Sequence, residues 1–201
     1  MSAAEIISAQ QLDLLKELAN IGVGNAVTSL SIMLSDQKIH MRVPEVRVTV
    51  LQDVPESLGD PEKAVAATYC QAESELFGLI VLFVLPLKSA ENMVIKLMPG
   101  VSGELGEMER SVLMELGNII TGSYLSALSF MTGLTFNATP PSLAIDMAGA
   151  VFGSVIAETA TEEDYLILLK TMVEIEEEEI EGSVLILPDS GSLPMLFDHL
   201  K

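Results

Sequence analysis

The chain has 201 residues with 29 acidic against 10 basic side chains, a formal charge of −19, and a field of that sign repels the phosphate backbone that nucleic-acid binding must neutralise. Hydrophobic residues make up 49% of the chain, enough to bury a substantial core. No basic leader followed by an apolar segment is present, nor an unbroken apolar run of about 18 residues, so the expectation is a cytoplasmic chain with no nucleic-acid partner and no membrane insertion.

Aromatic residues are scarce and Trp is absent, so Leu, Ile, Val, Met and Ala must fill the interior. The eleven Met serve either as core filler or as an adaptable contact surface. The single cysteine, Cys70, cannot form an intrachain disulfide. It lies in an alternating apolar stretch, which predicts a buried thiol in a reducing compartment.

From Gln11 to about Leu34, apolar residues return at helical spacing, with Leu14, Leu18 and Ile21 expected to face a core. Gly22 and Gly24 each cost about 1 kcal/mol against Ala inside a helix. Either the helix breaks there or something packs very closely against it. Ile39 to Val50 alternates as a strand, with Pro44 confined to an edge or a break. Val54 to Glu62 reads as turn, Ala64 to Gln71 as a second strand, and Leu76 to Leu85 as a third, buried strand. Lys88 to Met98 then reads as a short amphipathic helix.

The pattern restarts with a second long helix over Gly103 to Gly133, whose middle repeats the first at a constant offset of 98 residues. Glu17 matches Glu115, Leu18 Leu116, Asn20 Asn118, Ile21 Ile119, Gly24 Gly122, Leu30 Leu128 and Ser31 Ser129. Duplication of an α/β unit is the economical explanation. The segments after each helix agree more loosely, both copies ending in a strand, a proline turn and a short helix. The acidic run over residues 174–181 reads as a charged edge or hairpin.

Asp13, Glu17 and Asn20 are spaced by four and three, which puts them on one helix face, and Ser111, Glu115 and Asn118 repeat the arrangement. Glu and Asn on a helix commonly face water and do nothing else. Two copies embedded among matching apolar residues point further, although shared ancestry also preserves packing. A carboxamide can donate to one oxygen and accept from a water proton, and so aim water opposite a leaving group. A phosphoaspartate is already an activated acyl phosphate, so placing water is sufficient and no strong base is required. Two histidines, His40 and His199, are too few for a metal centre, and no intrinsic metal or cofactor is expected. The GVGN segment lacks a preceding strand and a Gly-Lys-Ser/Thr ending, which leaves it weak as a phosphate loop.

The spacing Asp or Ser, three residues, Glu, two residues, Asn, about 22 residues, Pro resembles the CheC, CheX and FliY family of chemotaxis response-regulator phosphatases. The second copy, ending at Pro141, has 22 residues between Asn and Pro; the first, ending at Pro44, has 23. ELANIGVGNA, ELGNIITGSYLSAL and PPSLAIDMAGAVF are similar to the family as well, and the two-motif layout resembles its CheC members. The resemblance implies an α+β fold: a duplicated pseudo-twofold α/β unit with a central sheet and two exposed motif helices. It implies one domain of two repeats, approximately 11–98 and 105–200. The substrate implied is phosphorylated CheY, whose own site supplies Mg²⁺. Glu17 and Glu115 would contact its lysine, while Asn20 and Asn118 would position water. Asp13, Ser111, Pro44 and Pro141 complete the motif. The resemblance also implies binding to the deamidase CheD, with Asp146 as a candidate contact. Two rivals stand beside it: a non-catalytic adaptor for CheD or a receiver domain, and a flagellar-switch component, which an evident extra carboxy-terminal domain would favour.

Overall fold

The computed structural model of the chain describes residues 7–33, 38–58, 60–98, 100–101, 105–159, 164–175 and 177–201. Helix α1 (Ala9–Met33) opens on a reciprocal cap. The Gln11 backbone N–H donates to Ser8 Oγ at 3.2 Å, and the Ser8 N–H donates to Gln11 Oε1 at 2.8 Å. The helix runs unbroken through Gly22 and Gly24, so close packing and not a break is the outcome at Gly22. Its core stripe is Leu15, Leu18, Ala19, Gly22, Ala26 and Leu30. Leu14 and Ile21, expected to face a core, pack against it from its half-buried flank. Leu34, the expected end of this helix, lies outside the described residues.

Strand β1 (Ile39–Val50) leads through a 3₁₀ turn, Leu51–Asp53, into the single-turn helix α2 (Val54–Ser57). Proline in the first turn of α2 suits a helix start, and this corrects the plain turn expected over that segment. Strands β2 (Ala64–Glu73) and β3 (Gly78–Pro86) and helix α3 (Leu87–Leu97) complete the first half. The second half comprises α4 (Glu107–Thr132), β4 (Asn137–Ala138), β5 (Ser142–Met147), α5 (Ala148–Thr159), β6 (Tyr165–Ile175), β7 (Glu178–Pro188) and α6 (Leu193–His199). Gly133, with φ at 72°, ends α4 in the left-handed conformation, and its N–H donates to the Ser129 carbonyl at 3.0 Å.

The strand order is β1-β6-β7-β3-β2-β4, with β5 also on β2, and every pairing is antiparallel. With β4 and β5 together as the counterpart of β1, exchanging β2 and β3 for β6 and β7 turns that order into its own reverse, which is what a pseudo-twofold axis between β3 and β7 requires. The outer strand of each half pairs with a strand of the other half, so the α+β unit is interleaved.

β1 is an edge strand, and its register with β6 advances from Arg42↔Met172 to Glu45↔Lys170. One extra residue of β1 is taken up in that bulge, where exposed Pro44 sits without breaking the ladder. The second copy has the same bulge around Pro141, its register on β2 advancing from Ala138↔Ala72 to Ser142↔Tyr69, so the bulge is a shared feature of the two halves and does not account for the one-residue difference between the Asn-to-Pro spacings.

β3 is buried on both faces, as its apolar run predicts. One face of the sheet carries α1, α3, α4 and α6 over the larger core, which includes Cys70. The other carries α2 and α5 over a second core around Val54, Leu82, Val151 and Phe152. The described residues of the acidic run, 174–175 and 177–181, lie at the end of the β6–β7 pair, between two inner strands and not along an edge. Arg42 pairs with Glu179 at 2.8 Å and Lys96 with Glu178 at 3.0 Å, tying that end to β1 and α3.

Candidate functional site

Asp13, Glu17 and Asn20 are exposed along the outer face of α1, and Ser111, Glu115 and Asn118 along the outer face of α4. Each set rests on a buried layer, Leu15, Leu18 and Ala19 in one helix and Leu113, Leu116 and Gly117 in the other. The side chains of Glu17, Asn20, Glu115 and Asn118 make no hydrogen bond or ion pair among the described residues. They are free to meet a partner. The two leading residues differ: Asp13 pairs with Lys16 at 3.1 Å, whereas the Ser111 hydroxyl donates to the Glu107 carbonyl at 2.9 Å.

Two glycines set the height of these faces. A Cβ on Gly22 would stand 2.7 Å from the ring of Tyr124. A Cβ on Gly117, next to Asn118, would overlap the side chain of Thr68 on β2. The helices therefore approach each other and the sheet more closely than any larger residue permits. Where they cross, Asn25 Nδ2 donates to the Ser123 carbonyl at 3.4 Å, and these residues are one another's counterparts at the 98-residue offset. Gly24 and Gly122 extend the exposed faces one turn beyond each Asn, with nothing within 4 Å of the Cβ they lack. Backbone is bare there, which leaves room for a partner surface.

The geometry offers a carboxylate and a carboxamide one turn apart, twice, on rigid helices. Among the described residues, no group of three or more His, Cys, Asp or Glu is arranged to hold a metal ion. No described helix is long and apolar enough to cross a membrane.

Asp146 is not brought together with these residues. It lies exposed on β5 at the far edge of the sheet, and its Oδ1 accepts the Met147 N–H at 2.7 Å just before α5. It borders a recess of about 190 Å³ lined by Tyr69, Leu82, Ala144, Val151 and Val155, residues of the α5 side. Pro141 precedes β5 as Pro44 interrupts β1, one at each edge of the sheet. Helix α5 was not legible in the sequence. Its buried positions, Val151, Phe152 and Val155, have helical spacing, but Gly149 and Gly153 interrupt the signal. The positioning contacts of Gly22 with Tyr124 and Gly117 with Thr68 join distant parts of the chain and leave no local mark.

A CheC-like family model matches residues 11–48 and 108–145, the two motif helices and the strands after them. The chain is 31% identical to "CheY-P phosphatase CheC" of Bacillus subtilis, over 98% of this chain and 97% of that protein. The crystal structure of Thermotoga maritima FliY superposes with a TM-score of 0.72 at 25% identity, covering 96% of this chain and 97% of that one. The FliM middle domain of H. pylori shares the fold, with a TM-score of 0.68 at 12% identity over 96% and 100% of the two chains. The chain belongs to the CheC/CheX/FliY family of CheY-P phosphatases, in its CheC-like group.

Proposed function

We propose that this chain accelerates hydrolysis of the aspartyl phosphate of the response regulator CheY, through Asn20 and Asn118. Family membership gives it a general role in regulating phosphorylated CheY. The observation that carries the finer reading is the repeated, solvent-facing Glu and Asn whose side chains have no partner among the described residues. Each Asn enters the receiver's phosphorylation site. Its Oδ1 accepts a hydrogen bond from the attacking water, and its Nδ2 donates to an oxygen near the phosphoryl group. Water oxygen bonds to phosphorus, the bond from phosphorus to the aspartyl oxygen breaks, and the proton ends on inorganic phosphate. The neighbouring Glu17 or Glu115 engages the receiver's lysine through a charged hydrogen bond and fixes the approach. Mg²⁺ belongs to the receiver and offsets phosphoryl charge there.

CheD is proposed as a second partner, at the surface around Asp146. The α5 recess and the motif helices lie on opposite faces of the sheet, which supports separate binding surfaces.

Phosphate release from a panel of phosphorylated receivers tests the catalytic reading. Asn20→Ala combined with Asn118→Ala is expected to remove the acceleration and leave circular dichroism unchanged, since exposed substitutions shift stability by within about 0.5 kcal/mol. Undiminished turnover in the folded double variant would overturn it. Receiver binding without turnover in the parent chain would assign an adaptor role instead.

A further inference from the structure

Ile32 and Phe130 are the two most exposed large apolar side chains among the described residues, at 77% and 79%. They occupy the same position of the duplicated helix, 98 residues apart. A lone exposed apolar side chain is ordinary. The same outlier in both copies, near the end of each motif helix, needs a cause outside the fold.

Contacts descend along α4 as they ascend along α1: Gly22 faces Tyr124 and Asn25 reaches Ser123, the order of an antiparallel pair. Phe130 lies seven residues beyond Ser123, roughly 10 Å at 1.5 Å per residue. That brings it level with Leu18, seven residues before Asn25, and so beside Glu17. By the same count Ile32 comes level with Leu116, beside Glu115. Each shares its helix azimuth, to within about 20° at 100° per residue, with Ile119 or Ile21, the half-buried flank next to the motif Asn. The apolar side chain beside each Glu/Asn pair thus comes from the other helix.

We propose that Phe130 docks the receiver engaged by Glu17 and Asn20, and that Ile32 docks the receiver engaged by Glu115 and Asn118. The proposal rests on the reading of those pairs as receiver-binding. A homodimer is disfavoured as the occupant: two isolated side chains supply far less than the roughly 1,200 Å² of a stable interface. A receiver already held by the polar pair needs only an added anchor, and a buried aromatic is the residue type that most often provides one.

Single-site backgrounds test the crossing. In Glu115→Ala/Asn118→Ala, which retains the first site, Phe130→Ser is expected to raise KM about tenfold and more than Ile32→Ser does. In Glu17→Ala/Asn20→Ala, Ile32→Ser is expected to raise it about fivefold and more than Phe130→Ser does. Thermal melts establish that each variant is folded. Equal effects in both backgrounds, or unchanged KM with normal turnover in the parent, would overturn the assignment. So would a dimer in sedimentation that Phe130→Ser abolishes while KM stays constant. Absence of turnover in the parent is instead a failure of the phosphatase reading. The same comparison is then made on the Kd of a beryllofluoride-activated receiver, where loss of the crossed pattern, or of binding altogether, overturns the docking assignment by itself.

Discussion

Gly22 of α1 lies against the ring of Tyr124 of α4, so closely that a Cβ at position 22 would stand 2.7 Å from both Cδ1 and Cε1. The ring lies in the core with no exposed surface, so yielding to a Cβ means moving other core side chains. Its hydroxyl lies near the Thr171 side chain but outside good hydrogen-bond geometry, and burial pushes its pKa well above the usual phenol range, an effect that Thr171 only partly offsets. Gly24, two residues on, has open space around it. Opposite outcomes follow for one substitution. Gly22→Ala gains helix propensity of about 1 kcal/mol but meets an overpacking cost of about 1–3 kcal/mol, so it is expected to lower stability. Gly24→Ala gains the propensity alone and is expected to raise stability by up to about 1 kcal/mol. Urea melts of the two variants measure the contrast, and a destabilised Gly24→Ala would show that the bare backbone there is structurally required.

Glu17→Gln with Glu115→Gln keeps shape and removes charge, so KM is expected to rise more than kcat falls. The loss should shrink at high salt, where screening already weakens an exposed charge contact. Steady-state kinetics at two salt concentrations measure both, and an effect confined to kcat would require the carboxylates to act on the reacting atoms.

What the sequence carried most clearly was whatever repeats or alternates. The motif spacing put Glu17 with Asn20 and Glu115 with Asn118 on exposed faces, and the run ending at Pro86 gave the doubly buried β3. Contacts between distant segments were not legible. Nothing local to Gly117 announces Thr68, and nothing in β1 announces that it pairs with β6 of the other half. In α1, Leu18 lies in the core as its spacing predicts and Leu14 and Ile21 pack against that core from its flank, but only the packing shows that Leu15, next to Leu14, is the more deeply buried of the two. The two prolines were visible at matching places, but the bulge that accommodates each of them required the register.

Cys70 lies 3% exposed in the larger core, and burial raises its thiol pKa above the ordinary 9.0, an effect that contacts with Thr121 and Val81 only partly offset. The folded state holds the proton more tightly than the unfolded state. The thiol's contribution to stability is therefore complete below about pH 9 and is lost as pH rises through the folded-state value. A thiol reagent at pH 8 is expected to leave the native chain unlabelled and to label it fully in denaturant. Rapid native labelling would show an accessible thiolate.

Asp146→Lys reverses a charge at an exposed position bordering the α5 recess, on the sheet face away from α1 and α4. The hydrogen bond its carboxylate accepts, from the Met147 N–H, is local, so the fold should tolerate the change. CheD affinity by titration calorimetry is expected to weaken while phosphate release stays near the parent value. Unchanged affinity would remove Asp146 from that interface. Lost turnover would mean that this edge supports the motif face.

The two sites are expected to work one at a time. Asn20 lies five residues before Asn25 and Asn118 five before Ser123, on opposite sides of the helix crossing. At 1.5 Å per residue and an interaxial distance of 8–10 Å, their backbones stand roughly 17 Å apart. A receiver-sized domain of about 120 residues has a radius of gyration near 14 Å, hence a diameter of roughly 35 Å. Two such domains cannot both seat an Asn from the same outer face. Titration with an activated receiver should therefore saturate at one per chain. At saturation the kcat of the parent should fall between those of Glu17→Ala/Asn20→Ala and Glu115→Ala/Asn118→Ala, each with one binding site left, because occupancy of one site excludes the other. Independent sites would instead give a stoichiometry of two and a parent kcat equal to the sum of the two single-site values.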